Sequence, residues 1–192
     1  MDKIIGTSPA VFQINEYLWL KNDYKPQVEA KIYHDNKNFF ISFKVFEKNP
    51  LAKKTEHMAM VCEDSCVEWF VNFTPDASDK YFNFEVNALG TMHAAYRKDR
   101  HEGEFLELCD IDSMDIQPNV LEDFWTVSYK IDFDLIKKYA PEFDIEQCSY
   151  IKMNLYKCGD LTQVPHYGAC FKVGCENPDF HRPEYFGSVK VD

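Results

Sequence analysis

Val67-Glu68-Trp69-Phe70-Val71-Asn72-Phe73 and Phe82-Asn83-Phe84-Glu85-Val86-Asn87-Ala88 alternate between apolar and polar side chains almost residue by residue. Successive side chains of a strand point to opposite faces, so a period of two marks a half-buried β-strand. The stretch between them, Thr74-Pro75-Asp76-Ala77-Ser78-Asp79-Lys80-Tyr81, is rich in turn formers and reads as a hairpin connection. With Phe73 opposite Phe82, Glu68 falls opposite Asn87 and Phe70 opposite Glu85. One face then carries Val67, Trp69, Val71, Phe73, Phe82, Phe84 and Val86, a core surface. The other carries Glu68, Phe70, Asn72, Asn83, Glu85 and Asn87. Which residues share a face within one strand does not depend on the register chosen.

The same period recurs outward from this hairpin. Phe39 to Phe46, Trp125 to Ile131 and Tyr150 to Tyr156 alternate clearly; Val28 to Tyr33, Thr91 to Tyr96, Phe105 to Leu108, Tyr167 to Phe171 and Gly187 to Val191 do so more weakly. About ten short strands separated by turn-rich segments predict an all-β fold, an antiparallel β-sandwich. One short helix is expected over residues 132–139, capped by Asp132 and stopped before Pro141. With no repeat and no linker, residues 1–192 read as one domain.

Sixteen Phe, 11 Tyr and 3 Trp bring the aromatic share to 16%, which excludes intrinsic disorder. The balance of 21 Lys+Arg against 32 Asp+Glu, net −11, argues against nucleic-acid binding, which rests on phosphate neutralisation. No apolar run approaches the roughly 18 residues of a membrane span. Met1-Asp2-Lys3-Ile4-Ile5-Gly6 lacks the apolar core of an export signal, so the chain as written reads as cytoplasmic, and as secreted if a precursor signal was removed. Seven cysteines cannot close a complete disulfide set and read as thiols in a reducing compartment. Zinc is the alternative: three residues separate Cys62 from Cys66 and four separate Cys170 from Cys175, with His166 and His181 nearby. These spacings are looser than the usual zinc knuckle, and buried small hydrophobes are the plainer reading. Nucleophile-elbow, P-loop, dinucleotide and H-E-x-x-H motifs are absent.

The polar face of the hairpin offers carboxylates and amides around an aromatic ring. Sugars present alternating hydroxyls and flat C–H faces, so a saccharide site wants planar bidentate groups and a ring to stack on. The same face reads equally as the solvated outside of a sandwich. Glu68 and Glu85 on neighbouring strands also raise a glycosidase reading, which needs two carboxyls about 5–10 Å apart. A strand face without a cleft is, however, a poor place to raise a carboxyl pKa. His166, His181 and Arg182 are further candidate hydroxyl donors.

Four stretches in order, Glu63-Asp64-Ser65-Cys66-Val67-Glu68-Trp69-Phe70, residues 81–91, Asn154-Leu155-Tyr156-Lys157-Cys158-Gly159-Asp160 and residues 178–187, resemble the carbohydrate-binding family 9-like domain, related to the family 9 modules of xylanases. The resemblance extends from about Ile32 to Val191. It implies a β-sandwich that grips the end of a glucan- or xylan-type oligosaccharide without catalysis, in carbohydrate catabolism. It also implies no required cofactor, with structural calcium in some members. The expected partner is an oligo- or polysaccharide, and the chain itself a monomer or weak oligomer. In the xylanase modules two tryptophans sandwich the sugar and a glutamate takes its hydroxyls. The glutamate matches Glu68; the tryptophan positions fall at Cys62 and near Cys170. Asn87, Arg97, Lys157 and His166 are then expected to bind hydroxyls, and Tyr167 to supply a ring. The alternatives are a glycoside hydrolase using Glu68 and Glu85, or a protein-interaction sandwich without its sugar site.

Overall fold

The computed structural model describes residues 3–192, so Met1 and Asp2, part of the stretch read for an export signal, lie outside it. Its strands are β1 (Ile4–Ile5), β2 (Ala10–Ile14), β3 (Glu16–Tyr17), β4 (Val28–His34), β5 (Asn38–Val45), β6 (Cys66–Asn72), β7 (Tyr81–Asn87), β8 (Met92–Arg97), β9 (Gly103–Phe105), β10 (Gln117–Val120), β11 (Trp125–Asp132), β12 (Tyr150–Cys158), β13 (Tyr167–Ala169) and β14 (Gly187–Val191). Two short helices, α1 (Leu108–Asp112) and α2 (Phe133–Tyr139), interrupt them. One sheet runs β1-β14-β12-β6-β7-β8-β9, with β13 attached to β12 and β3 to β13; the other runs β10-β11-β5-β4-β2. Every pairing is antiparallel except β1 with β14.

The two sheets close on a core to which the central strands contribute alternate residues. Trp69, Phe73, Phe82 and Phe84 of the first sheet meet Phe39, Phe43, Trp125 and Val127 of the second, all buried. Trp69 sits edge-on to Phe39 at 6.3 Å and to Phe73 at 5.6 Å, the geometry that aligns positive ring edges with negative faces. The expected core face of the hairpin is therefore the observed one.

Its register differs. Val71 pairs with Phe82, Phe70 with Asn83, and Glu68 with Glu85, a shift of two residues from the expected pairing. Asn72 explains it. Its amide Nδ2 donates to Ser78 O at 2.6 Å and its Oδ1 accepts from Thr74 N at 2.8 Å, so this side chain closes the loop and leaves Phe73 beyond the ladder. A shift of two preserves the faces and changes only which residues are opposite.

The helix expected after Asp132 is α2, with Asp132 Oδ1 accepting from Asp134 N at 2.8 Å as its cap. The outer face of the first sheet is not solvated. Every residue of β6 and β7 is buried, because the long segment 159–186 folds back over them. Beneath it a second aromatic cluster forms from Phe70, Tyr81, Tyr156, Val173 and Phe180. Tyr156 and Phe180 stack with centroids 4.0 Å apart.

Candidate functional site

Register sets the floor of the site. Tyr156, Glu68, Glu85 and His93 stand in one row across β12, β6, β7 and β8. Over this row the covering segments leave a cleft of about 540 Å³, lined by Trp19, Cys62, Glu68, Glu85, His93, Arg97, Arg100, Cys158, Asp160, Tyr167, Asp179 and His181 among others. Its walls are tied down. Asp160 N donates to Cys62 O at 3.0 Å, Trp19 Nε1 to Cys175 O at 2.9 Å, and Arg100 forms an ion pair with Asp179 at 2.8 Å. Tyr81 Oη and His181 Nδ1 share a hydrogen bond at 2.9 Å.

Glu68 is 3% exposed, and its Oε1 accepts from Cys158 Sγ at 2.8 Å. Burial, reinforced by the neighbouring Glu85 charge, pushes its carboxyl well above the ordinary carboxylate range. Glu85 is raised for the same first reason, burial, against the counter-pull of His93 and of the Asn83 amide that donates to its Oε1 at 2.9 Å. Two facing carboxyls of this kind favour protonated forms, and a protonated carboxyl both donates and accepts. Asn83 Oδ1 in turn accepts from Arg97 Nε at 2.8 Å, which orients the guanidinium toward the cleft. Asp160, raised by burial, bonds the Tyr167 hydroxyl, whose own pKa is pushed up to about 12.

The cleft therefore brings together Glu68, Arg97, Tyr167 and Cys62 of the expected residues. It leaves out four. Asn87 is fully buried: its Nδ2 donates to Lys54 O and Asp64 Oδ2, and its Oδ1 accepts from Leu89 N and Thr91 N, so it staples the β7–β8 turn. Lys157 pairs with Val67 on the inner face. Its Nζ donates to Cys158 O at 2.9 Å, meets His166 Nε2 at 2.7 Å and lies 3.4 Å from Glu47 Oε2, a network sealed inside the sandwich. His166 belongs to that network and not to the cleft. Cys170 packs against the main core and lines a separate groove of about 1000 Å³ with Lys3, Phe12, Phe171 and Val189, a groove with no carboxylate among the described residues that line it.

Trp19 was not among the sequence candidates, yet its ring forms one wall, 5.7 Å edge-on to Tyr167 and 5.5 Å from Phe180. Its φ of 65° is a strained value for so bulky a residue, the kind of outlier that gathers at functional sites. The family resemblance implies a ring at the Cys62 position; the ring arrives instead from a segment more than forty residues upstream, and nothing in its local pattern signals this.

Calcium takes six to eight oxygen ligands. Among the described residues two triads of candidate ligand side chains form, Glu107–Cys109–Asp110 and Cys66–Glu68–Cys158. Each contains thiol sulfur, and Lys138 Nζ already occupies Glu107 and Asp110 at 2.7 and 2.8 Å. These triads do not fit calcium.

A two-sheet sandwich with a polar, ring-walled cleft has the form of a β-sandwich binding module. The model of carbohydrate-binding family 9 matches residues 2–191, so the chain belongs to that family. A putative carbohydrate-binding protein from Bacteroides uniformis shares the fold with a TM-score of 0.83 at 21% identity, over 100% of both chains. A family 9 carbohydrate-binding module from Caldicellulosiruptor kristjanssonii, solved with cellotriose, superposes with a TM-score of 0.69 at 11% identity over 98% of this chain and 92% of that one. A structure of such a module from the same organism with glucose gives 0.63 at 13% identity over 99% and 96%. No curated protein matches the chain.

Proposed function

We propose that the cleft holds the end of an oligosaccharide of glucan or xylan type, without a cofactor, as part of carbohydrate breakdown. The observation that carries this reading is Glu68: a buried carboxyl on the cleft floor, facing Glu85, with Arg97 and the Trp19 and Tyr167 rings around it. Carboxyls that burial shifts toward the protonated form and a guanidinium suit hydroxyls, and the rings suit the apolar face of a sugar. A volume of about 540 Å³ falls within the usual range of small-ligand sites. The solved family 9 modules in complex with cellotriose and glucose support the same ligand class.

The test is calorimetric titration with glucose, cello-oligosaccharides and xylo-oligosaccharides, with and without a chelator. Glu68→Ala is expected to weaken binding by about 1–3 kcal/mol, the worth of a hydrogen bond to a charged or strongly polar group. Unchanged affinity in that variant, or no binding to any of the sugars, removes the reading. Because Glu68 and Glu85 also face each other as a glycosidase pair does, the incubated sugars are checked for cleavage. Intact sugar at every pH is the expected result.

A further inference from the structure

Glu68 and Cys158 on the cleft floor meet Cys66 just beneath it, and the sugar reading uses only Glu68 of the three. Cys66 and Cys158 are cross-strand partners on β6 and β12, and Glu68 follows two residues along the same face. Their ligand atoms, two Sγ and a carboxylate oxygen, all lie within 4.8 Å of one another. All three side chains are buried, and each is placed by sheet register instead of by a loop, so the donors are held on a rigid frame.

Two sulfurs and an oxygen form the donor set of zinc and its thiophilic relatives, and a poor one for calcium or magnesium. With metal–sulfur bonds near 2.3 Å and metal–oxygen bonds near 2.0–2.2 Å, tetrahedral ligands stand roughly 3.4–3.8 Å apart, which these side chains reach by small rotations. The Cys158–Glu68 contact of 2.8 Å opens and the wider separations close. Glu68 and Cys158 both line the cleft, so the fourth coordination position faces it. We propose that Cys66, Cys158 and Glu68 form a binding site for one thiophilic divalent cation, zinc or cadmium, with an open position toward the cleft. On binding, each thiol releases one proton to solvent as its metal–sulfur bond forms, a protonated Glu68 carboxyl releases one more as its oxygen takes the metal, and coordination replaces the Cys158–Glu68 hydrogen bond. The other triad is different in kind, because Lys138 already holds its carboxylates.

The experiment titrates the reduced full-length protein with cadmium, read by thiolate-to-cadmium charge-transfer absorbance and by cadmium NMR. One equivalent is expected, with a chemical shift diagnostic of two sulfur ligands. Cys66→Ser and Cys158→Ser each weaken it by at least about 100-fold, since even groups behind the ligands are worth 10–100-fold. Cys109→Ser and Cys175→Ser leave it unchanged. Wild type without the absorbance, an all-oxygen shift, retention of the site in both Cys66→Ser and Cys158→Ser, or its loss in Cys109→Ser overturns the proposal. The shift is read on wild type, so a serine variant that fails to fold does not shelter it. No sugar enters this experiment, and the chelator arm of the saccharide titration is metal-free, so either reading can fail alone.

Discussion

Asn87 and Trp19 divide the work of fold and site in opposite senses. Asn87 gives its Oδ1 to the turn around Gly90 and its Nδ2 to Lys54 O and Asp64 Oδ2; the φ of 81° at Gly90 suits glycine, and Pro118 stands only 3.0 Å from where a Cβ would be. Asn87→Ala is expected to lower stability by about 1–3 kcal/mol through unpaired buried donors and acceptors, with saccharide affinity of the folded protein unchanged. Trp19→Ala is expected to do the reverse. Affinity falls by about 0.5–1.5 kcal/mol as the ring is lost, while the half-buried position keeps the melting temperature near wild type. Thermal melts and calorimetry on the same two variants separate the roles; a shared loss of stability and affinity in both contradicts the division.

At the scale of the element, alternation made β5, β6, β7, β11 and β12 legible, because each buries one face against the opposite sheet. It missed β2 and β3, a five-residue edge strand and a two-residue fragment whose patterns are too short to stand out. It also could not see register, which rests on the Asn72 side chain and not on hydrophobicity. β11 holds an instructive flaw. Tyr129 is buried in the main core with its hydroxyl unpartnered and its pKa driven far up by burial. Phenylalanine fills the same space without that hydroxyl, so Tyr129→Phe is expected to stabilise the protein by about 1 kcal/mol. Denaturant unfolding checks it, and a destabilised variant shows that the hydroxyl has a partner.

At the scale of the whole molecule, buried titratable groups pull stability in opposite directions with pH. Glu68 and Glu85 have raised pKa values in the native state, so the native form holds more protons than the unfolded chain above the ordinary carboxyl value of 4.5. Their contribution is present at low pH and is lost as pH rises through the folded values. His166 and His181, which burial lowers to about 4 and about 3, hold fewer protons than the unfolded chain below 6.5, and destabilise as pH falls through that window. Stability is therefore expected to peak at mildly acidic pH, and Glu68→Gln to flatten the decline on the alkaline side while leaving the acid side as it was. Unfolding by urea across pH tests this; a wild-type stability that rises steadily from about pH 6 to about pH 8 contradicts it. The site was only partly legible at this scale. Glu68 stood out because the family resemblance marks it on a clearly alternating strand, and Tyr167 lies on a weakly alternating one, whereas Trp19, Phe180 and His181 reach the cleft from segments with no periodic signal.

That assembly bears on how the protein is made. Phe70, Tyr81 and Tyr156 are covered by Val173, Phe180 and Phe186, which leave the ribosome later. Until they do, a nascent chain with all its central strands paired still carries a bare aromatic sheet face, the type of surface that invites association. The cover that makes the protein safe in solution is the same segment that shapes the cleft. Covering of the sheet face and shaping of the cleft both wait on a segment that follows β12 in the chain.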